Sequence, residues 1–145
     1  MAVAATPPDD PAREAWALIA QLFFGDEVQQ RFHAACASID ATPPMLKALL
    51  SMEPGEAQSM RALAQDWRCD ASWVTNLIDS LEERNLVERK VLPTDRRVKT
   101  VEITEAGEKA RARALDTLYE PPERLTSLPR RDQESLRDAL KKLTQ

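Results

Sequence analysis

The sequence predicts a mostly α-helical fold with one small β-hairpin. Apolar residues recur every three or four residues, which is the helical period, through most of the 145-residue chain. Two short stretches, Val87 to Leu92 and Val98 to Ile103, instead alternate between apolar and polar residues, as half-buried strands do. The 10 prolines cluster where the helical pattern is interrupted. A chain of this length suits one domain, or one small domain with a dimerising extension.

The composition excludes several classes of protein. No apolar run approaches the ~20 residues of a membrane span, and residues 1–10 lack the basic residues of a signal peptide. We therefore expect a cytoplasmic protein without membrane contact, in which residues 1–10 form a disordered lead. One His, no G-x-S-x-G segment and no phosphate-binding glycine loop leave no catalytic constellation. We expect neither an enzyme nor a cofactor.

The two cysteines, Cys36 and Cys69, match no metal or redox spacing. Cys36 lies on an apolar helical stripe, which favours a buried structural thiol over a redox sensor. His33 and Cys36 form a His-x-x-Cys pair, but two ligands alone are weak support for a metal site. No bound metal is therefore expected.

Two helices, or one long helix kinked at Gly25, are predicted in residues 11–41. Asp10 followed by Pro11 is a typical helix start, because a capping oxygen precedes a ring that fits the first turn. Gly25-Asp26 can end the first helix and cap a second. The apolar stripes of the two helices are Ala12, Trp16, Ile19, Ala20 and Phe23, followed by Val28, Phe32, Ala35, Cys36 and Ile39.

Two further helices are predicted between Thr42 and Trp67. Thr42-Pro43 starts the first of them, and the segment Glu53 to Glu56 breaks it. Ser59 is a good N-cap for the second helix, which ends at the short turn Arg68-Cys69. The core positions of these helices are Met45, Leu46, Leu49 and Leu50, followed by Met60, Leu63, Ala64 and Trp67.

The helix that begins after Asp70 has one apolar face and one polar face. Asp70 is the predicted cap, Cys69 and Val74 form a hydrophobic staple, and Asn85 can adopt the left-handed conformation that ends a helix. The inner, apolar face consists of Ala71, Val74, Leu77, Ile78 and Leu81. The outer, polar face consists of Ser72, Thr75, Asn76, Asp79 and Glu83, and Trp73 lies at the border.

The predicted hairpin carries a local positive charge in an acidic protein. Residues 93–97 form its turn, and Val87 and Val91 lie on one side of the first strand. The net charge of the whole chain is −4. Between residues 89 and 99, however, five basic residues face one acidic residue, which is a local charge of +4. The six charged residues are Arg89, Lys90, Arg96, Arg97, Lys99 and Asp95.

Thr104 caps a final long helix, which Pro121-Pro122 stops, and one more helix follows. The long helix carries a row of small residues that would let helices approach closely, and the last helix has its own apolar stripe. These positions are Ala106, Gly107, Ala110 and Ala114, followed by Leu136, Ala139, Leu140 and Leu143. The small central lobe cannot cover the apolar stripes at both ends of the chain. Large exposed stripes mark interfaces, so the sequence predicts a dimer.

The order of helix, tight turn, helix with a polar outer face, and basic hairpin is typical of a winged helix-turn-helix. A helix fits the major groove of DNA, where short polar side chains can bond to base edges. Ser72, Thr75 and Asn76 are side chains of this kind. A basic hairpin beside the helix can reach the phosphates or the narrow minor groove.

Residues Asp70 to Thr104 resemble the MarR family (multiple antibiotic resistance regulator). The stretch reads DASWVTNLIDSLEERNLVERKVLPTDRRVKTVEIT. The family combines a Ser-x-Val-Thr helix start, Leu-Glu before a turn, Leu-Val-x-Arg into the wing, Asp-x-Arg at the tip, and an apolar residue before Thr. The matching positions are Ser72, Val74, Thr75, Leu81, Glu82, Leu86, Val87, Arg89, Asp95, Arg97, Ile103 and Thr104. The resemblance runs from Thr42 to Gly107, and the flanking helices match by type and order.

Two positions depart from the family pattern. Asn85 stands where the family usually has Gly, and Asn tolerates the left-handed conformation. Trp73 stands where a small hydroxyl residue is common. Contact with a thymine methyl and packing in the core are both open for this indole.

The resemblance implies a homodimeric repressor that binds double-stranded DNA at a palindromic operator and is relieved by a small, often aromatic, ligand. We assign residues 11–41 and 104–145 to dimerisation and residues 42–103 to the DNA-binding lobe. The candidate DNA contacts are Ser59, Ser72, Trp73, Thr75, Asn76, Arg89, Asp95, Arg96, Arg97 and Lys99. The candidate walls of a ligand pocket are Trp16, Phe23, Phe24, Phe32 and His33. The competing class is a winged helix that binds protein, which the basic hairpin and the polar helix face disfavour.

Overall fold

A computed structural model describes residues 10–144 of the chain. The predicted fold class is confirmed: the described residues are mostly helical, with one small antiparallel sheet. The elements in chain order are α1 (Pro11–Phe24), α2 (Asp26–Ser38), α3 (Pro43–Ser51), β1 (Gln58–Ser59), α4 (Met60–Trp67), α5 (Ala71–Glu83), β2 (Val87–Leu92), β3 (Asp95–Ile103), α6 (Glu105–Tyr119), α7 (Glu123–Thr126) and α8 (Arg130–Leu143). Apart from Asp10, the expected N-terminal lead lies outside the described residues.

Most of the predicted helix starts are confirmed by cap geometry. The side chains of Asp10, Ser59 and Thr104 each accept a hydrogen bond from a backbone N–H in the first turn of the helix that follows. Thr42 and Asp70 occupy the predicted N-cap positions of α3 and α5, but their side chains make no capping hydrogen bond. A polar residue before a helix therefore located each start correctly, whether or not its oxygen is used.

The N-terminal segment forms two helices, α1 and α2, and not a single kinked one. Gly25, with extended backbone angles, separates them and is itself the N-cap of α2. The predicted boundary at Gly25-Asp26 is confirmed, with Gly25 as the cap and Asp26 as the first residue of α2. The Asp26 carboxylate lies where the helix dipole favours a negative charge.

The core lies where α2, α3, α5 and α6 meet the base of the hairpin. Its most deeply buried side chains include Leu46, Leu49, Ile78, Leu81 and Val101. Four residues of the predicted apolar face of α5 point inward, namely Val74, Leu77, Ile78 and Leu81. Ala71 was expected on the same face but is exposed, because it lies in the first turn of the helix. The polar face of this helix is left exposed beside the hairpin.

The sheet has three strands in the order β1-β3-β2, all antiparallel. The two-residue strand β1, in which Gln58 pairs with Val101, was not predicted. The prediction that residues 93–97 form the turn is also wrong. Leu92 pairs with Asp95 and Val91 pairs with Lys99, so β3 begins at Asp95 and bulges outward over residues 96–98. The hairpin tip thus presents its basic residues from a bulged strand.

The hairpin rises out of the core along its length. Val87 is buried, whereas Val91, which was expected on the same side, is 51% exposed. Thr100 is buried although its alternation predicted the polar side, and its hydroxyl donates to the carbonyl of Lys90 at 3.3 Å. The alternation therefore holds only near the base, because the outer half has no lobe to pack against.

The small-residue row of α6 packs inside the protomer. Gly107, Ala110 and Ala114 are buried, and α6 lies mainly against α2. A Cβ atom at Gly107 would stand 1.9 Å from the carbonyl oxygen of Leu86, so only glycine allows this approach. The predicted close approach of helices at this row is therefore confirmed, and the helix that approaches belongs to the same chain.

The outermost helices, α1 and α8, bury none of their described residues. Their apolar stripes face solvent: Trp16 is 69% exposed, Phe24 75% and Leu143 71%. The four-residue helix α7 was not predicted. Within residues 10–144, no helix has the length and apolar character needed to cross a membrane.

Candidate nucleic-acid interface

The outer face of α5 presents three short polar side chains to solvent. Ser72, Thr75 and Asn76 are all exposed, and Val74 and Ile78 anchor the opposite face in the core. The Thr75 hydroxyl donates to the carbonyl of Ala71 at 2.9 Å, so its oxygen remains available mainly as an acceptor. The Asn76 side chain makes no hydrogen bond to any described residue and keeps both donor and acceptor groups. An amide of this kind can bond bidentately to adenine.

Trp73 lies on the side of α5 that faces α3 and α4. It is 44% exposed, and its ring meets that of Trp67 edge to face at a centroid distance of 6.3 Å. The Trp67 indole N–H donates to the Ser51 hydroxyl at 2.9 Å, which connects this pair to α3. Trp73 therefore packs on an aromatic neighbour along one edge and leaves the other edge in a surface groove, whose further lining includes Pro43, Pro44 and Lys47.

Arg89, on β2, reaches across to α5. Its Nη2 lies 2.5 Å from Oδ1 of Asp79 and donates to the carbonyl of Thr75 at 3.3 Å. Its Nη1 lies 3.0 Å from Oε2 of Glu82. One guanidinium thus joins the base of the hairpin to three acceptors on the helix beside it.

Lys90 is paired within the sheet. Its Nζ lies 2.8 Å from a Glu102 carboxylate oxygen and 3.0 Å from one of Glu88. These hydrogen bonds, the one to Glu102 first, raise the pKa of Lys90, so its charge is retained but locally compensated. The local charge of +4 counted along the sequence therefore overstates the positive charge that the hairpin offers to a partner.

The unpaired positive charge of the hairpin is concentrated at its tip. Arg96, Arg97 and Lys99 are exposed and form no ion pair with any residue between 10 and 144. Asp95 and Arg97 form no side-chain ion pair with each other. Instead, Oδ1 of Asp95 accepts a hydrogen bond from the backbone N–H of Arg97 at 3.0 Å. Asp95 therefore shapes the backbone of the tip and leaves the guanidinium free to reach outward.

A cleft of about 590 Å³ lies between α4, α5 and the hairpin. Thr75 and Lys99 line it, and so does Arg61, a residue that the sequence analysis missed. Arg61 lies in the first turn of α4, two residues after the cap Ser59, whose half-buried hydroxyl accepts from the N–H of Ala62. The signal in the sequence was a basic residue just after the cap of the first helix of the helix-turn-helix. In such motifs the first helix crosses the DNA backbone.

A sequence model of the MarR family matches residues 42–99, from the start of α3 to the middle of β3. Residues 42–99 therefore form a MarR-family domain. The family model supports transcription regulation through a DNA-binding winged helix in this region. No curated protein sequence matches the chain.

Solved structures extend the likeness in fold to the outer helices of the chain. YusO from Bacillus subtilis is 22% identical, with a TM-score of 0.75 over 96% of this chain and 98% of that protein. A mutant of MarR from E. coli is 19% identical, with a TM-score of 0.71 over 96% and 100%. A mutant of S. aureus MepR, bound to an oligodeoxyribonucleotide, is 20% identical, with a TM-score of 0.67 over 94% and 97%. The shared fold therefore includes the flanking helices as well as the central lobe.

The candidate ligand-pocket residues are divided between α1 and α2. Trp16, Phe23 and Phe24 lie exposed on α1. Phe32 is half-buried on α2, with the ammonium of Lys47 5.8 Å from its ring centre, and His33 is exposed on the same helix. A pocket formed by all of these residues would need surface from outside the described protomer.

Cys36 is buried in the core, as predicted, whereas His33 lies on the exposed side of α2. Among residues 10–144, no group of three or more His, Cys, Asp and Glu side chains could hold a metal ion. Burial raises the pKa of the Cys36 thiol, which its own backbone hydrogen bond only partly offsets.

Proposed function

We propose that this protein is a homodimeric repressor that binds double-stranded DNA sequence-specifically at a palindromic operator and is released by a small ligand. The observation that carries the proposal is the exposed polar face of α5 beside a hairpin tip whose cations, Arg96, Arg97 and Lys99, are unpaired within the described chain. This pairing of a reading surface with an anchoring surface suits duplex DNA better than a protein partner.

The two surfaces have different roles in the proposed complex. The outer face of α5 enters the major groove, where Ser72, Thr75 and Asn76 meet base edges. Arg96 and Arg97 at the hairpin tip meet phosphates or the minor groove. A MepR mutant that shares the fold has been solved bound to an oligodeoxyribonucleotide, which supports DNA binding by this chain.

The exposed apolar faces of α1 and α8 support a homodimer. Side chains as exposed as Trp16, Phe24 and Leu143, on the first and last helices of the chain, form more apolar surface than a monomer usually leaves in water. A second copy of the chain is the occupant that a two-fold operator requires. Residues 11–41 and 104–145 are then dimerisation segments, although α6 contributes mainly through its packing on α2.

Repression and its relief follow from the same arrangement. A dimer seated on two half-sites occludes a promoter without any further activity. The aromatic side chains of α1, together with Phe32 and His33, would line a pocket only after the partner subunit adds its surface. A small aromatic ligand bound there would change the spacing of the two reading helices and so lower affinity for the operator.

The proposal is tested by selecting duplexes from random DNA on the purified full chain. We expect a palindrome whose half-site centres lie about 10 base pairs apart, one helical turn. Failure to retain any duplex at 50 mM salt would reject the proposal in favour of a winged helix that binds protein. Enriched duplexes without two-fold symmetry would reject the symmetric dimer alone.

A further inference from the structure

The ion pairs of Arg89 form a bridge between the reading helix and the hairpin. We propose that Arg89 is a positioning residue, which holds the hairpin at a set angle to α5 and does not itself contact DNA. The inference rests on the proposed function, because it concerns how the two DNA-binding elements are kept in register. It reassigns a residue that the sequence placed among the candidate DNA contacts.

The geometry of the guanidinium favours this role. Asp79, Glu82 and the carbonyl of Thr75 take three of its five N–H donors, at 2.5, 3.0 and 3.3 Å. The side chain of Arg89 is only 22% exposed, although both of its carboxylate partners are about half exposed. A planar guanidinium group that is hydrogen-bonded on two sides has little freedom to turn toward a phosphate.

The local charge also disfavours a phosphate at Arg89. Two carboxylates surround one guanidinium, so the cluster of Arg89, Asp79 and Glu82 carries a net charge of −1. Withdrawing Arg89 to bind DNA would leave Asp79 and Glu82 unpaired next to a polyanion. Within the protein, each of these carboxylates gains a charge-assisted hydrogen bond.

The position of the bridge along β2 suits it to control the angle between the hairpin and α5. Outside the bridge, the connection from α5 to β2 is the short turn around Asn85 and Leu86. On its other strand the hairpin is held where β1 pairs with β3 at Thr100 and Val101, and Arg89 is the ion-pair attachment of β2 to α5. Leu92, at the outer end of the strand, lies about 10 Å beyond Arg89 at ~3.3 Å per residue, so a small rotation at the base moves the basic tip by several ångströms.

The test compares Asp79→Asn with Asp66→Asn, measured by binding of the full chain to a duplex selected from random DNA and to a scrambled duplex. Both changes remove one negative charge, which by electrostatics alone would tighten binding to DNA. Asp66 is exposed on α4 and pairs with no described residue, so Asp66→Asn should bind as tightly as wild type or slightly more tightly. Asp79→Asn should instead lose about 10-fold on the selected duplex and less on the scrambled one.

A second comparison separates positioning from direct contact. If Arg89 positions the hairpin, the double variant Asp79→Asn with Arg89→Gln should bind no more weakly than Arg89→Gln alone, because one bridge has been removed twice. If Arg89 binds a phosphate, Asp79→Asn frees the guanidinium and tightens binding, which would overturn the proposal. Thermal unfolding shows whether each variant is folded. Should Asp79→Asn not fold, Glu82→Gln removes one arm only and carries the same prediction.

Failure of this inference and failure of the proposed function are distinguishable. Wild-type protein that binds no duplex rejects the function, and the bridge has then nothing to position. Wild-type protein that prefers the selected duplex, together with Asp79→Asn binding equally well, rejects the bridge alone.

Discussion

At the scale of single residues, the neighbours of a charged side chain decide what it can do. Arg89 and Arg97 are both hairpin arginines, yet one is held by two carboxylates and the other pairs with none of the described residues. The same distinction applies to polar groups on α5, since the hydroxyl of Thr75 is used within the helix and the amide of Asn76 is not. Recognition of bases is therefore expected to depend on Asn76 and anchoring on Arg97.

Asn76→Ala should cost about 1–3 kcal/mol of binding free energy on a selected duplex and relax the preference at one position of each half-site. The reason is that phosphate contacts survive while a bidentate base contact is lost. Arg97→Ala is the matched contrast, because it should weaken selected and scrambled duplexes by similar factors and flatten the salt dependence. The affinity of each variant for the selected and the scrambled duplex is measured by titration across a salt series. Wild-type behaviour of Asn76→Ala on both duplexes would show that another face of α5 enters the groove.

Peroxide should not release the protein from DNA through Cys36. Burial raises the pKa of this thiol, so at neutral pH it holds less of the reactive thiolate than a free cysteine does, and that fraction grows only as the pH rises through the elevated pKa. In Cys69→Ser protein, Cys36 should react with a thiol reagent far more slowly in the native state than in urea. Release of a selected duplex by stoichiometric peroxide, lost in Cys36→Ser, would contradict this expectation.

At the scale of elements, close approach of α6 to the rest of the chain depends on one missing side chain. The carbonyl oxygen of Leu86 accepts a hydrogen bond from the N–H of Thr104, the residue that caps α6. Gly107 then passes directly over that carbonyl. The junction of the hairpin, the turn after α5 and α6 is thus one packed unit.

Gly107→Ala should lower the free energy of unfolding by about 1–3 kcal/mol, because the added methyl group would overlap backbone and force α6 away. The loss outweighs the helix propensity that alanine adds, which is about 1 kcal/mol. Urea denaturation measures the difference. The neighbouring Ala106 is exposed, so Ala106→Ser is a control expected to change stability by no more than ~0.5 kcal/mol. Equal stability of Gly107→Ala and wild type would mean that α6 does not lie this close.

At the scale of the whole molecule, the chain leaves apolar surface exposed on its first and last long helices, α1 and α8. α1 and α8 contribute no buried residue, and the well-packed core lies in the lobe between them. This distribution is expected of a chain that completes its packing with a second copy.

Sedimentation at micromolar concentration should show a wild-type dimer, and Trp16→Glu should shift the protein toward the monomer. Trp16 lies on the exposed apolar face of α1, and burying a carboxylate there against a second copy would cost several kcal/mol. Val91→Glu changes an apolar side chain on the hairpin that is about half exposed, and it should leave the mass of the particle unchanged. A monomeric wild-type protein would refute the dimer.

The sequence by itself determined the longer helices, most of their starts, the hairpin and the exposed polar face of α5, because caps, periodicity and turn residues act within a few positions of one another. Pro11, Ser59 and Asn85 are signals of this local kind. The family model supports the same central region, residues 42–99. The DNA-contact and ligand-pocket assignments remain predictions.

Tertiary structure alone decided which charges and which apolar faces remain available. The pairing of Arg89 with Asp79 spans ten positions, and that of β1 with β3 spans more than forty. Neither is visible in a local pattern. The ion pair depends on how α5 and the hairpin are set against each other, and the strand pairing depends on where the segment before α4 meets the hairpin. For the same reason the row of small residues on α6 gave no sign of its partner. Periodicity shows that a face is buried, but only the packed chain shows which neighbour buries it.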